Sequence, residues 1–235
     1  MKLLAQLMFV VFLLFPPMTS ASDSGLMTVA SYTTSVEDQD ADVKTNLQLA
    51  CRRLNGYVIE PGATFSFNDV VGEASAKNGY VNGRVLYREE ARLEPGGGLC
   101  QVSTTLFNVL LAAGFHIIER YRHLQPVTYA PLGLDATIKY GKKNLRMKNP
   151  FPQNFYIETS LTDKSLSIAL KAHHQLPYRY EIVTEEEDVD VPIIDRSRPI
   201  RQGLSIYVNR LRYRENKLVD SATLYKDYYP PVYIK

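Results

Sequence analysis

The chain has 235 residues, of which 45% are hydrophobic and 22% charged, and its formal net charge is +2. That length accommodates one substantial domain and a small second one. The near-even charge gives no reason to invoke nucleic acid, and its slight basic excess is compatible with an anionic wall or membrane surface.

Residues 1–21 read as a secretory signal outside the fold. Lys2 is a short basic start, residues 3–15 an apolar run, and Met18-Thr19-Ser20-Ala21 a small-residue cleavage site. The apolar run is short for a membrane span, so an uncleaved anchor is the second reading and the only route to a membrane. The protein is therefore expected outside the cytoplasmic membrane, secreted or associated with the cell envelope.

Residues 22–41 are polar and mixed, a strand or a loose leader. Residues 41–54 predict a helix with Leu47, Cys51 and Leu54 on one face, stopped at Asn55-Gly56. Residues 57–68 read as two short β segments about the turn Glu60-Pro61-Gly62, with Phe65 and Phe67 alternating with Ser66 as in a half-buried strand. Residues 72–83 are loop-rich, and residues 84–87 form a short strand before a polar turn.

The stretch Gly96-Gly97-Gly98-Leu99-Cys100-Gln101-Val102-Ser103-Thr104-Thr105 carries the most chemical information. Beyond it Val102, Leu106, Val109, Leu110 and Ala113 recur at helical spacing up to Gly114, which predicts an amphipathic helix with Cys100 at its start. Unpaired N–H groups and the helix dipole favour negative charge there, which lowers a thiol pKa toward neutrality. Gly97 and Gly98 let the backbone approach a substrate and aim N–H groups at an oxyanion. Cys100 thus reads as a nucleophile; the alternative is a small buried packing thiol. Two cysteines in an exported chain also suggest a disulfide, but the context of Cys51 is that of a packed helix face, and a Cys51–Cys100 bridge would block the nucleophile.

Residues 115–123 alternate as a strand does, and residues 126–138, with two prolines and a glycine, read as an irregular crossing segment. Residues 145–157 and 166–172 follow as strands separated by the turn Thr162-Asp163-Lys164. Residues 173–177 mark a boundary. In the β-rich remainder, Glu185-Glu186-Glu187-Asp188 is expected as a solvated acidic turn, residues 195–203 as loop, residues 204–214 as strand, Asn216-Lys217 as a tight turn, and Tyr228-Tyr229-Pro230-Pro231 as the end. Strands come in separate runs without βαβ alternation, so the fold is α+β. A mainly antiparallel sheet domain with one or two packed helices, residues 22–175, precedes a small β-rich C-terminal module, residues 176–235.

The sequence resembles the VanW family. The resemblance runs in order through Asn55-Gly56-Tyr57-Val58-Ile59-Glu60-Pro61-Gly62, Phe65-Ser66-Phe67-Asn68, Gly79-Tyr80, the glycine–cysteine stretch through Leu106, Glu119-Arg120, His123, Tyr129, Gly133-Leu134-Asp135-Ala136-Thr137 and Asn149. Leu124 stands where a small polar residue is common, and Lys143-Asn144-Leu145 where an Asp-Leu pair is usual. The family is named after an accessory protein of glycopeptide-resistance clusters. The resemblance implies an L,D-transpeptidase-like reaction on peptidoglycan stem peptides: Cys100 forms a thioester, which an amine or water resolves. A non-catalytic peptidoglycan-binding or resistance accessory protein is the alternative.

His123 is the expected base, because imidazole titrates near neutrality and can pass a proton from thiol to leaving amine. Asp135 is the first choice to orient it and Glu119 the second. Arg120 suits a substrate carboxylate, Gln101 an oxyanion, and Tyr129 the wall of a cleft. Ser103, Thr104 and Thr105 are expected to satisfy first-turn N–H groups. His116, His173 and His174 are expected to be structural. No cofactor is needed for such acyl transfer. A zinc site of Cys100, His123 and Asp135 ranks last, since no paired-ligand spacing supports it.

Overall fold

The computed structural model describes residues 9–10, 25–87, 90–189, 200–201 and 203–233. The expected signal lies outside them apart from a two-residue strand, β1 (Phe9–Val10). The expected loop at 195–203 also lies largely outside them.

The first part of the chain runs β2 (Met27–Ser35), α1 (Ala41–Leu54), β3 (Val58–Ile59), β4 (Thr64–Ser66), α2 (Phe67–Val71), a 3₁₀ turn at Ala76–Asn78, β5 (Asn82–Tyr87), β6 (Glu90–Pro95) and α3 (Leu99–Ala112). There follow β7 (His116–Glu119), β8 (Arg146–Lys148), β9 (Phe155–Leu161) and β10 (Ser165–Ala172). The tail comprises β11 (Arg179–Val189), β12 (Ile200–Arg201), β13 (Gly203–Arg214), β14 (Lys217–Tyr229) and β15 (Val232–Tyr233). All paired strands are antiparallel, in the orders β2-β10-β9-β3, β4-β8-β7, β5-β6, β1-β11-β13-β14 and β12-β15. With three α-helices among the described residues, this is the expected α+β class with a β-rich C-terminal part.

Helix α1 occupies the expected residues for local reasons. The Asp40 carboxylate caps it by accepting from the Val43 amide at 2.8 Å, and Arg52 and Arg53 sit in the last turn, where cations suit the dipole. Its Val43, Leu47, Ala50 and Leu54 are buried against the rest. Along β10 every second residue, Leu166, Ile168, Leu170 and Ala172, is buried, the period of a strand with one core face.

Five expectations change. Helix α3 begins at Leu99 and is buried almost all round, including Leu99 and residues 101–111, so it is a central helix rather than an amphipathic surface one. It packs on β2 and β10, on α1 and on β11 of the tail, so its polar face is covered too. Phe65, Ser66 and Phe67 are all buried, with Phe67 already opening α2. The strand expected over 115–123 is only the four residues of β7. The acidic run 185–188 lies within β11, not in a turn: Asn209 donates to Glu185 at 3.1 Å, and Tyr207 and Lys226 to Glu187 at 2.9 and 3.2 Å. The run stays exposed, and the cross-strand donors add to its solvation. The β13–β14 turn falls one residue early, at Glu215 and Asn216, both at positive φ. The hydrophobic core is continuous from α1 and α3 to Ile206, Val208 and Tyr229 of the tail.

Candidate active site

The site grows from the start of α3. A Cβ on Gly97 would lie 2.3 Å from the backbone carbon of Gly83, and one on Gly98, whose φ is 100°, would lie 2.7 Å from Val43 Cγ1. Only glycine lets this turn press against β5 and α1 and enter the helix directly. Asn46 of α1 locks the turn, donating to the Gly97 and Val81 carbonyls at 3.1 and 3.0 Å. Cys100 is thereby placed in the first helical turn, partly exposed. Gly97→Ala should lower stability by about 1–3 kcal/mol, because the clash is with backbone that cannot yield; chemical denaturation measures it.

Cys100, His123 and Asp135 converge. Cys100 and His123 lie close enough that each shifts the titration of the other, and Cys100 Sγ also lies 3.7 Å from the Ile138 carbonyl oxygen. On the far side, His123 Nδ1 lies 2.6 Å from Asp135 Oδ2, and the His123 amide donates to the same oxygen at 2.6 Å. Burial alone would push the thiol pKa up, but His123 and the Thr137 hydroxyl, 3.3 Å from Sγ, bring it below the ordinary value. Burial likewise opposes the imidazolium, yet Asp135 and Cys100 raise His123 to about 9. Asp135 is held below the usual carboxylate range despite its burial, by the His123 hydrogen bonds and the Arg120 charge. The shifts of Cys100 and His123 both run toward a thiolate–imidazolium pair.

The segment carrying Asp135 is pinned to α3. Asn108 donates to the Leu134 carbonyl at 2.8 Å, and Thr104 Oγ1 accepts from the Ala136 amide at 3.0 Å. These bonds replace the secondary structure that residues 133–138 lack, and hold Asp135 at 2% exposure. Of the two acids considered, the structure puts Asp135 on His123. Glu119 instead accepts from the Asn144 amide at 3.1 Å and faces Arg146.

Several expected substrate contacts are otherwise engaged. Arg120 is no substrate anchor: its side chain is 5% exposed, with Nη1 2.7 Å from Asp227 Oδ2 and Nη2 3.1 Å from Asp135 Oδ1. Gln101 faces the opposite side of the helix, donating to Thr34 Oγ1 and the Ser35 carbonyl at 3.1 and 2.7 Å and accepting from Gln39. The Gly97 amide goes to the Glu94 carbonyl at 3.3 Å, so this glycine packs the turn. The Gly98 and Cys100 amides carry no hydrogen bond among the described residues. Tyr129 stands edge-on to His123, ring centroids 6.4 Å apart. It also borders a cleft of about 450 Å³ with Thr128, Pro131, Leu132 and, from β11, Thr184 and Glu186.

Thr104 and Thr105 do not cap the helix; Thr105 donates back to the Gln101 carbonyl at 2.8 Å, and the Ser103 hydroxyl is buried without a partner among the described residues. Cys51 and Cys100 are both free thiols. Cys51 is buried, which pushes its thiol up to about 11. Among the described residues, no group of three His, Cys, Asp or Glu is arranged to hold a metal ion; Cys100 and Asp135 flank His123 rather than share a centre. No helix among the described residues is long and apolar enough to cross a membrane.

Thr137, Tyr225, Asp227 and Tyr229 were not anticipated at this site. The alternation Tyr225, Asp227, Tyr229 marks one strand face, a signal the sequence does contain. Nothing local says which surface that face meets.

The chain matches the family model described as VanW like protein over residues 42–171. It is 34% identical over 142 residues to the Uncharacterized protein YoaR of Bacillus subtilis (strain 168), covering 60% of this chain and 47% of that protein. It is also 34% identical over 142 residues to the Vancomycin B-type resistance protein VanW of Enterococcus faecalis (strain ATCC 700802 / V583), covering 58% of this chain and 52% of that one. The matched stretch spans about half the length of these relatives. No solved structure matches the chain. The matched residues include the glycine turn, Cys100, His123 and Asp135, and the chain belongs to the VanW family.

Proposed function

We propose that this protein is an exported enzyme of the cell envelope that carries out cysteine-dependent acyl transfer on peptidoglycan stem peptides. The observation that carries the reading is the Cys100–His123–Asp135 line, in which a partly exposed thiol at a helix start meets an imidazole backed by a buried carboxylate. That is the arrangement of an activated nucleophile, its base and the group that orients the base.

The Cys100 thiolate attacks the carbonyl carbon of the terminal amide, and the Cys100 and Gly98 amides are available to the oxyanion. The C–N bond then breaks as the His123 imidazolium gives its proton to the departing amino group of the terminal D-amino acid. A thioester remains. An amine from a neighbouring stem, or water, attacks it; His123 takes the proton, the C–S bond breaks and the thiolate returns. The amine gives a cross-link, and water a shortened stem.

A second reading, a non-catalytic resistance accessory that binds the stem, is favoured by the name of the Enterococcus faecalis relative, Vancomycin B-type resistance protein VanW. Mass spectrometry of disaccharide-tetrapeptide fragments incubated with the protein separates the two. Dimers with loss of a terminal D-amino acid support transpeptidation, and tripeptide alone supports hydrolysis. Fragment binding without any product leaves the accessory reading.

A further inference from the structure

The site is backed by a strand outside the stretch that matches the family model. Alternate residues of β14 point the same way, and three of them reach the segment that carries Asp135. Tyr225 donates its hydroxyl to the Gly133 carbonyl at 2.7 Å. The Tyr229 hydroxyl accepts from the Gly133 amide and lies 3.4 Å from Asp135 Oδ1. Between them Asp227 accepts from Arg120 Nη1 with both carboxylate oxygens, at 2.8 and 2.7 Å. The other two nitrogens of Arg120 turn to the loop: Nε donates to the Asp135 carbonyl at 2.7 Å, and Nη2 to Gly133 O and Asp135 Oδ1, each at 3.1 Å. The guanidinium lies over the rings of Tyr225 and Phe107, 4.7 and 5.6 Å from their centroids.

We infer that Asp227 is a positioning residue of this site: it clamps Arg120, and Arg120 in turn fixes the Asp135 carboxylate that faces His123. Charge alternates along the line Asp227, Arg120, Asp135, His123, Cys100. Each buried ion therefore has an opposite neighbour, the condition under which buried charges are tolerated. Without the Asp227 carboxylate, Arg120 keeps a single counter-ion and draws Asp135 toward itself. Asp135 Oδ2 would then leave the two His123 N–H groups it now holds at 2.6 Å. The other groups facing His123 are Cys100 from α3, the Tyr129 ring, and Arg122, which donates to the His123 carbonyl at 2.6 Å and lies over the Tyr229 ring. None of them replaces the lost negative charge, so both consequences disfavour the imidazolium.

The clamp takes its catalytic meaning from the proposed acyl transfer, but its test needs no substrate. In full-length protein labelled with ¹³C-histidine, the His123 ring signal, assigned with His123→Gln, is followed by NMR across pH. Wild type should titrate near 9. Asp227→Asn should titrate lower by about one unit, a tenfold weaker proton affinity, and Asp227→Glu should restore most of the difference. A lowered melting temperature with an unchanged His123 titration in Asp227→Asn would overturn the inference and leave Asp227 a stabilising residue only. Titration of wild-type His123 in the ordinary range would overturn it too. Should Asp227→Asn unfold in plain buffer, the titration is run in trimethylamine oxide, which favours the compact state. Shifted titration together with absence of any product from stem peptides would sink the acyl-transfer reading while the clamp stands.

Discussion

Cys100→Ser should reduce acyl transfer from stem peptides by at least about 10³-fold, on the order of 4 kcal/mol of barrier. A serine hydroxyl presents no anion at neutral pH, whereas the Cys100 thiol is brought below its ordinary range by His123 and Thr137 against the effect of burial. The exchange is close to isosteric at a partly exposed position, so thermal unfolding should stay within about 0.5 kcal/mol of wild type. Mass spectrometry after brief iodoacetamide treatment supplies an independent readout. Wild type should gain one adduct, on Cys100, and the variant none, since Cys51 is buried with its thiol pushed up to about 11. Activity retained within tenfold in Cys100→Ser would remove the thiolate from the mechanism.

His123→Gln should cost about 10²–10⁴-fold in the same reaction, the usual worth of a positioned acid–base group. The pH dependence carries the sharper test. In wild type the lowered thiol pKa sets the acid edge of the ion pair, and loss of the imidazolium proton near 9 sets its alkaline edge. Glutamine cannot carry the positive charge, so burial dominates and the thiol titrates above its ordinary value. Alkylation of Cys100 at pH 7 should then fall by at least about 30-fold, because a thiol of ordinary pKa is only a few per cent ionised there. The gap should close only as pH rises past the variant's own raised thiol pKa. Equal rates of variant and wild type at pH 7 would show that His123 does not activate the thiol.

Helix α1 was legible because its cap, its apolar stripe and its stop all lie within the segment itself. The limits of α3 were nearly legible for the same reason, but its environment was not. Gln101 reads in sequence as an oxyanion donor and Thr104 and Thr105 as partners of first-turn N–H groups, whereas in the fold they and Asn108 bind β2 on one side and residues 134–136 on the other. A polar side chain that finds a buried partner carries the same letter as one that finds water. The acidic run in β11 is exposed as expected, but it lies in a strand rather than a turn because β13 and β14, which supply Tyr207, Asn209 and Lys226, pair beside it.

At the site the division is equally physical. Cys100 and its glycine turn are a local matter: the turn needs residues without Cβ, and the helix start follows within two residues. The order of residues therefore suffices to mark Cys100 as the candidate nucleophile. Choosing Asp135 over Glu119, and turning Arg120 inward, depends on where β7 and the irregular segment cross α3, which no local propensity encodes. Asp227 lies 107 residues beyond Arg120. Strand alternation assigns it a face with Tyr225 and Tyr229, and only the packing of β14 against residues 133–135 turns that face into the back wall of the site.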